Sequence, residues 1–156
     1  MTPESQAASC LVFDFDGTLA DTFRLAFEIY NDLSPTYGCR KLDESELAAA
    51  RDMTLSQFIK FTHVSRLKIP AMLKEGKRRL AQRIDEIDPI DGIPVVIPLL
   101  RKRYDILGIL TSNSKSNVKA FLRQHELDCF DFISTVPKLS GKAKSLKAIM
   151  RTFTLE

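Results

Sequence analysis

Leu11-Val12-Phe13-Asp14-Phe15-Asp16-Gly17-Thr18-Leu19 is the stretch whose reading decides the fold. An apolar run carries two aspartates two positions apart and then breaks at Gly17. Cys10 to Phe13 are apolar or β-favouring and Gly17-Thr18 ends the pattern, so the run reads as a buried strand. Residues at i and i+2 share a face of a strand, but at the strand's end the chain turns away. Two carboxylates therefore stand side by side where a sheet opens to solvent. In parallel α/β sheets that edge is where ligands bind. A single aspartate beside glycine is often only a turn residue. Two within a phenylalanine-rich run need more explanation, because burying unpaired charge is costly. A bound cation, or a nucleophile beside an acid, accounts for both.

Outward from this run the chain divides into three parts. Residues 1–20 supply a polar start and the first strand. Residues 21–90 are rich in helix formers and hold no convincing strand. Phe23, Ala26, Phe27 and Tyr30 recur at three and four residues, which predicts an amphipathic helix with those residues on its apolar face. Leu47 to Ala50 and Leu55 to Phe61 read as shorter helices on either side of Asp52-Met53-Thr54. Ile69-Pro70 opens a longer helix through Leu73, Leu80 and Ile84, with Pro70 in the first turn where proline is tolerated. Residues 88–94 are a loop by composition.

An alternating pattern follows. Val95 to Arg103 reads as a helix that Pro98 weakens or kinks. Tyr104 to Leu110 is an apolar strand, and Ser114 to His125 a helix with Val118, Phe121 and Leu122 on one face. Phe130 to Thr135 is a third strand. Lys142 to Phe153 is a last helix with Leu146, Ile149 and Met150 as its apolar side. This order predicts an α/β fold with a doubly wound parallel sheet and a helical insert. Thr111-Ser112-Asn113 closes the second strand. A hydroxyl there can donate to an anion, and N–H groups at a helix start point at the same place. Simple N-capping by Ser or Asn explains the same residues.

At 156 residues the chain is one core domain with a small appendage. The net charge of +3 is modest and scattered, apart from the basic run Lys74 to Arg83. An acidic residue, Glu75, interrupts that run and no aromatic does, so it reads as a solvated helix face and not as a nucleic-acid patch. Cys10, Cys39 and Cys129 show no CxxC spacing and read as reduced thiols, which suits a cytoplasmic protein. Residues 1–9 lack the charged-then-apolar order of a signal peptide. No run approaches the ~20 apolar residues of a membrane span.

Asp14-Phe15-Asp16-Gly17-Thr18-Leu19, continued by Ala20-Asp21-Thr22, resembles the DxDGT signature of the haloacid dehalogenase-like (HAD) hydrolases, in the form common among their small-molecule phosphatases. The resemblance extends from Cys10 to Leu146. It implies that Asp14 is the nucleophile that becomes an aspartyl phosphate. Asp16 is then the acid that protonates the leaving alcohol and later the base that activates water. Magnesium is the implied cofactor, held by the Asp14 carboxylate and the Asp16 main-chain carbonyl, since it takes oxygen ligands together with a substrate phosphate. The dehalogenases that named the family lack the second aspartate, so Asp16 implies a phosphatase or phosphomutase.

In family terms residues 1–20 and 91–156 are the Rossmann-like core and residues 21–90 a helical C1 cap, a lid that helps choose the substrate and excludes water. Arg51-Asp52-Met53-Thr54 resembles the substrate-facing cap loop in relatives of phosphoglycolate phosphatase. Arg51 is then a candidate for binding the rest of the substrate, against the plainer reading of a surface arginine at a helix end. Thr111 matches the second motif, which binds the phosphoryl group, with Ser112 and Asn113 beside it. The third motif is a lysine that offsets the repulsion between aspartate and phosphate. Lys138, Lys142 and Lys144 are candidates. Lys142 is preferred because Ser140-Gly141-Lys142 precedes a helix after the third strand.

The family's fourth motif, an acidic cluster often written GDxxxD, finds no match. Fourteen residues follow Lys142, with no Gly-Asp among them. Asp128 and Asp131 precede the third strand and so lie at its wrong end, and Glu156 has no strand before it. The expectation is a chain truncated before that motif, with a weakened magnesium site and an incomplete sheet. An open sheet edge invites pairing with a second copy, hence a homodimer. The function expected is a magnesium-dependent phosphomonoesterase acting on a small phosphorylated metabolite, weakly active or inactive in a chain truncated in this way. A phosphomutase and a non-catalytic phosphate-binding remnant are the alternatives. A receiver domain also combines a phosphorylated aspartate with a parallel sheet, but the helical insert after the first strand argues against it.

Overall fold

The computed structural model describes residues 8–136 and 142–152. In chain order its elements are β1 (Cys10–Phe13), α1 (Thr22–Tyr37), α2 (Leu47–Asp52), α3 (Leu55–Thr62), α4 (Ile69–Gln82), α5 (Ile93–Arg103), β2 (Ile106–Thr111), α6 (Lys115–Gln124), β3 (Phe132–Thr135) and α7 (Lys142–Thr152). They form two compact units. One is the α/β unit up to Asp21 and from Ile87 onward, and the other is the helical unit Thr22–Glu86.

The α/β unit is built on a three-stranded sheet of order β1-β2-β3 with both pairings parallel, a small Rossmann-like sheet. Central β2 is the most buried strand, from Leu107 through Thr111. Alternation along it serves two faces. Leu110 packs with Val136, the residue after β3, and Ile149 of α7, joined by Val12 and Phe132. The neighbouring residue Ile109 is fully buried, as are Val118, Phe121 and Leu122 along one side of α6.

The register Gly108↔Phe132 is locked by shape. A Cβ on Gly108 would lie 2.0 Å from Phe132 Cζ, so the ring occupies the space that any larger residue would need. Asp131 locks the same pair of strands at the opposite end from the loop that follows β1. Its carboxylate accepts from the Leu107 N–H at 2.8 Å and from Arg101 Nη1 at 2.5 Å. This is why β3 begins at Phe132 rather than at Phe130: Asp131 is spent as a staple. Strand β2 likewise begins at Ile106, because the Asp105 carboxylate accepts from both the N–H and the hydroxyl of Ser9 at 2.8 Å. Helix α5 runs unbroken through Pro98, whose missing N–H removes one intrahelical bond.

In the helical unit the apolar face of α1 differs from the one expected. The buried stripe is Leu25, Ile29 and Leu33, while Phe23, Phe27 and Tyr30 are half-buried and Ala26 is exposed. The cause is α4, where Gly76 lies close to α1: a Cβ on it would stand 4.0 Å from Ile29 Cγ2 and Leu33 Cδ1. The aromatics fill the flank, with Tyr30 edge-on to Phe58 at 5.1 Å and its hydroxyl donating to the Arg40 carbonyl. Leu73 and Leu146, expected on apolar faces, are 46% and 40% exposed. The basic run lies along α4 as a solvated face. Glu75 accepts from Arg78 and Arg79, which pull its carboxyl down to about 2, and Arg83 pairs with Glu86 and Glu28. Thr54 caps α3 in a reciprocal box with Gln57. Among the described residues no helix is long and apolar enough to cross a membrane.

Two outcomes follow from the β2–β3 seam. Gly108→Ala displaces the Phe132 ring and lowers stability by ~1–3 kcal/mol, as overpacking does, read as a lower urea midpoint. The Leu107 N–H, and then Arg101, hold the Asp131 carboxyl below the usual aspartate range. A group whose folded-state pKa is depressed adds stability above its unfolded value, and that stability is lost as pH falls through the folded one. Stability of the native chain therefore declines below about pH 4, and Asp131→Asn is less stable at neutral pH with a flatter acid limb in urea titrations.

Candidate active site

Asp14 follows β1 directly, and its Oδ1 accepts from the Phe15 N–H at 2.8 Å. Phe15 has no exposed surface and meets Phe121 of α6 edge-on, with ring centroids 5.1 Å apart. The chain then folds back on itself. The Phe15 carbonyl accepts from Leu19 N at 3.0 Å and Ala20 N at 3.1 Å, and Gly17 N donates to the Ala20 carbonyl at 2.8 Å. Gly17 sits at φ +72°, a region that costs a side-chain-bearing residue but not glycine. Leu19 and Ala20 are fully buried beside exposed Gly17 and Thr18. Two apolar anchors, Phe15 and Leu19, thus hold a loop on which Asp14 and Asp16 are half-buried. The Asp16–Ala20 exchange uses the carbonyls of Phe15 and Ala20, not that of Asp16.

Strand β2 delivers the second part of the site to the same edge, because β1 and β2 are parallel with Phe13 opposite Ile109. Thr111 is the last residue of β2 and is fully buried. Its Oγ1 accepts from the Asn113 N–H at 3.0 Å, which leaves the hydroxyl proton to be donated elsewhere. Asn113 Nδ2 donates to Asp16 Oδ1 at 2.9 Å. The Asn113 carbonyl oxygen accepts from Ser114 N at 2.8 Å and from Asn117 Nδ2 at 3.0 Å. The cap of α6 is Ser114, whose Oγ accepts from Asn117 N at 3.2 Å. Ser112 and Asn113 therefore lie in the loop before the helix, and neither is its N-cap.

The structure thus brings together Asp16 and Asn113 by direct contact, and Thr111 with Asn113 through the backbone. Arg51 lies in the last turn of α2 in the helical unit, exposed, its guanidinium 5.8 Å from the centre of the Phe23 ring. Lys142 is the first residue of α7 and Lys144 is in its first turn, while the side chains of both, and all of Lys138, lie outside the described residues. Asn117 and Ser114 were missed by the sequence reading. The signal was present as Ser114 three residues before Asn117, the spacing by which an N-cap meets the N3 backbone.

The donors at the end of β1 fit magnesium by type. A carboxylate and a main-chain carbonyl are hard oxygen ligands, and Mg²⁺ uses one or two carboxylates with substrate phosphate and water. Among the described residues no group of three or more His, Cys, Asp or Glu is placed to hold a metal. The cysteines are free thiols, and burial pushes those of Cys10 and Cys129 up, away from the thiolate that a soft metal requires.

A family model described as haloacid dehalogenase-like hydrolase matches residues 11–156. A phosphoglycolate phosphatase of Synechococcus elongatus is 28% identical over 141 residues, covering 90% of this chain and 66% of that protein. The chain thus spans about two thirds of this relative's length. A haloacid dehalogenase-like hydrolase of Streptococcus pneumoniae superposes with a TM-score of 0.74 at 21% identity, over 96% of this chain and 71% of that one. CbbY of Rhodobacter sphaeroides, solved with phosphate, gives a TM-score of 0.65 at 21% identity over 95% and 73%. These structures share the fold. The DxDGT loop at the end of β1, the buried threonine at the end of β2 and a family match over almost the whole sequence agree, and the chain belongs to the haloacid dehalogenase-like hydrolases.

Proposed function

We propose that the chain is a magnesium-dependent phosphomonoesterase that works on a small phosphate ester through an aspartyl phosphate. The observation that carries this reading is the Asn113–Asp16 hydrogen bond of 2.9 Å, which ties the acid-bearing loop after β1 to the loop after β2. A strand-end aspartate and a second aspartate held nearby divide the work of nucleophile and acid. The name of the Synechococcus relative, a phosphoglycolate phosphatase, supports a small substrate.

In the first half-reaction an Asp14 oxygen attacks phosphorus while the ester P–O bond breaks, and the leaving oxygen takes a proton from Asp16. In the second, Asp16 as carboxylate takes a proton from water, whose oxygen attacks phosphorus. The Asp14–phosphorus bond breaks, inorganic phosphate leaves and Asp16 is again protonated. Thr111 donates its hydroxyl to a phosphoryl oxygen, with Ser112 beside it. Lys142 offsets the repulsion between Asp14 and the phosphate dianion. Bound magnesium, on the Asp14 carboxylate and the Asp16 carbonyl, supplies charge neutralisation for the phosphoryl oxygens. The helical unit serves as the cap, and Arg51 binds the part of the substrate beyond the phosphate.

The test is turnover of p-nitrophenyl phosphate by the purified chain. Turnover is expected with magnesium, is lost with EDTA, and falls to the no-enzyme background in Asp14→Asn. A folded chain that binds phosphate but turns over nothing overturns the enzyme reading and leaves a phosphate-binding remnant. Arg51→Ala raises KM for phosphoglycolate several-fold while the inhibition constant of inorganic phosphate holds; equal changes in both refute the substrate-binding role.

A further inference from the structure

We propose that Asn117, in the first turn of α6, is a positioning residue for Asp16 and acts through the side-chain amide of Asn113. The inference rests on the reading of Asp16 as the acid that serves the leaving group. Its basis is the direction of three hydrogen bonds. A backbone N–H can only donate, so the Asn113 atom 2.8 Å from Ser114 N is the carbonyl oxygen. Nδ2 is therefore the end that faces Asp16, and it donates to Oδ1 at 2.9 Å. Asn117 Nδ2 is the second donor to the same Asn113 oxygen, at 3.0 Å, and fills its remaining lone pair.

Rotating the Asn113 amide by half a turn would set its NH₂ against two other donors and its oxygen against a carboxylate. Asn117 doubles that penalty, and it is itself held, because its backbone N–H donates to the capping Ser114 Oγ at 3.2 Å. The chain of control runs from the start of α6 through Asn117 and Asn113 to Asp16. Asn113, Asn117 and Asp16 are all half-buried, where hydrogen bonds are less diluted by water.

The consequence is a choice between two oxygens. The terminal torsion of an aspartate is broad and nearly two-fold, so an unrestrained carboxyl exchanges Oδ1 and Oδ2 freely. With Oδ1 occupied as acceptor from Asn113, Oδ2 is the oxygen that hands its proton to the departing alcohol and later takes one from water. Without Asn117 only the Ser114 N–H still opposes rotation of the amide, so the penalty for turning is roughly halved and the acid spends a larger part of its time misdirected.

The decisive variant is Asn117→Asp. It keeps the side-chain shape and places an acid at the third helical position, which favours the helix dipole, yet it turns the donor to Asn113 into an acceptor. Two readouts are taken. The first compares kcat for an alkyl ester, glycerol 1-phosphate, with kcat for p-nitrophenyl phosphate, whose leaving group needs little protonation. The alkyl-to-aryl ratio is expected to fall about tenfold, a part of the ~10²–10⁴-fold that a positioned acid contributes. KM moves less than kcat. The second is the Asn113 side-chain amide signal in ¹H–¹⁵N spectra, identified by its loss in Asn113→Asp, which is expected to shift in Asn117→Asp. An equal fall for both esters, or an unmoved amide signal, overturns the proposal. A chain in which the amide shifts while the parent protein turns over neither ester upholds the positioning and refutes the phosphatase reading instead.

Discussion

The edge-on contact between Phe15 and Phe121 carries the rest of the site. Phe15 stands between the two aspartates in sequence, and Phe121 lies on α6, the helix capped by Ser114 and carrying Asn117 in its first turn. Burying both rings removes a large apolar area from water and sets the loop after β1 against the helix after β2. Asp14 and Asp16 are then offered at the surface of a rigid support, because the residue between them has nowhere else to go. The fold-back through the Phe15 carbonyl and Gly17 makes the same support tight enough for a 2.9 Å bond to reach from Asp16 to Asn113.

A second layer of control lies at the other end of the sheet. Asp131 and Asp105 are spent on the starts of β2 and β3, where they hold Leu107, Arg101 and Ser9. The search for a fourth acidic motif meets Asp131 as a carboxylate at the wrong end of a strand, and the structure accounts for it, with Asp105, as a register device. Phe132 over Gly108 does by shape what Asp131 does by hydrogen bonding. A parallel sheet of three strands has little area with which to specify its register, and these two locks supply it.

The helical unit shows where pattern reading reaches its limit. Two apolar stripes run along α1, one of aromatics and one of aliphatics. Periodicity admits either as the inward face, and the aromatic stripe is the more conspicuous. The close approach of α4 at Gly76 selects Leu25, Ile29 and Leu33. A glycine inside a helical pattern reads as a weak point in sequence, but here it makes room for a neighbouring helix. The basic run Lys74 to Arg83 was legible as a solvated face because its acid, Glu75, stands three and four residues before Arg78 and Arg79, the spacing of helical ion pairs.

By itself the sequence determined the α/β class, the parallel order of strands around a helical insert, the family, and the aspartates at the end of the first strand. Those follow from local signals: apolar runs of strand length, a glycine that breaks one of them, and two charges too costly to bury without a purpose. Tertiary structure alone decided which face of α1 is buried, that Asp131 serves the sheet, and that the Asn113 amide, backed by Asn117, turns its N–H toward Asp16. Each of these depends on a partner distant in the chain or on the direction in which a donor points. Asp16 and Asn113 are 97 residues apart, and only the pairing of β1 with β2 brings their side chains within 2.9 Å.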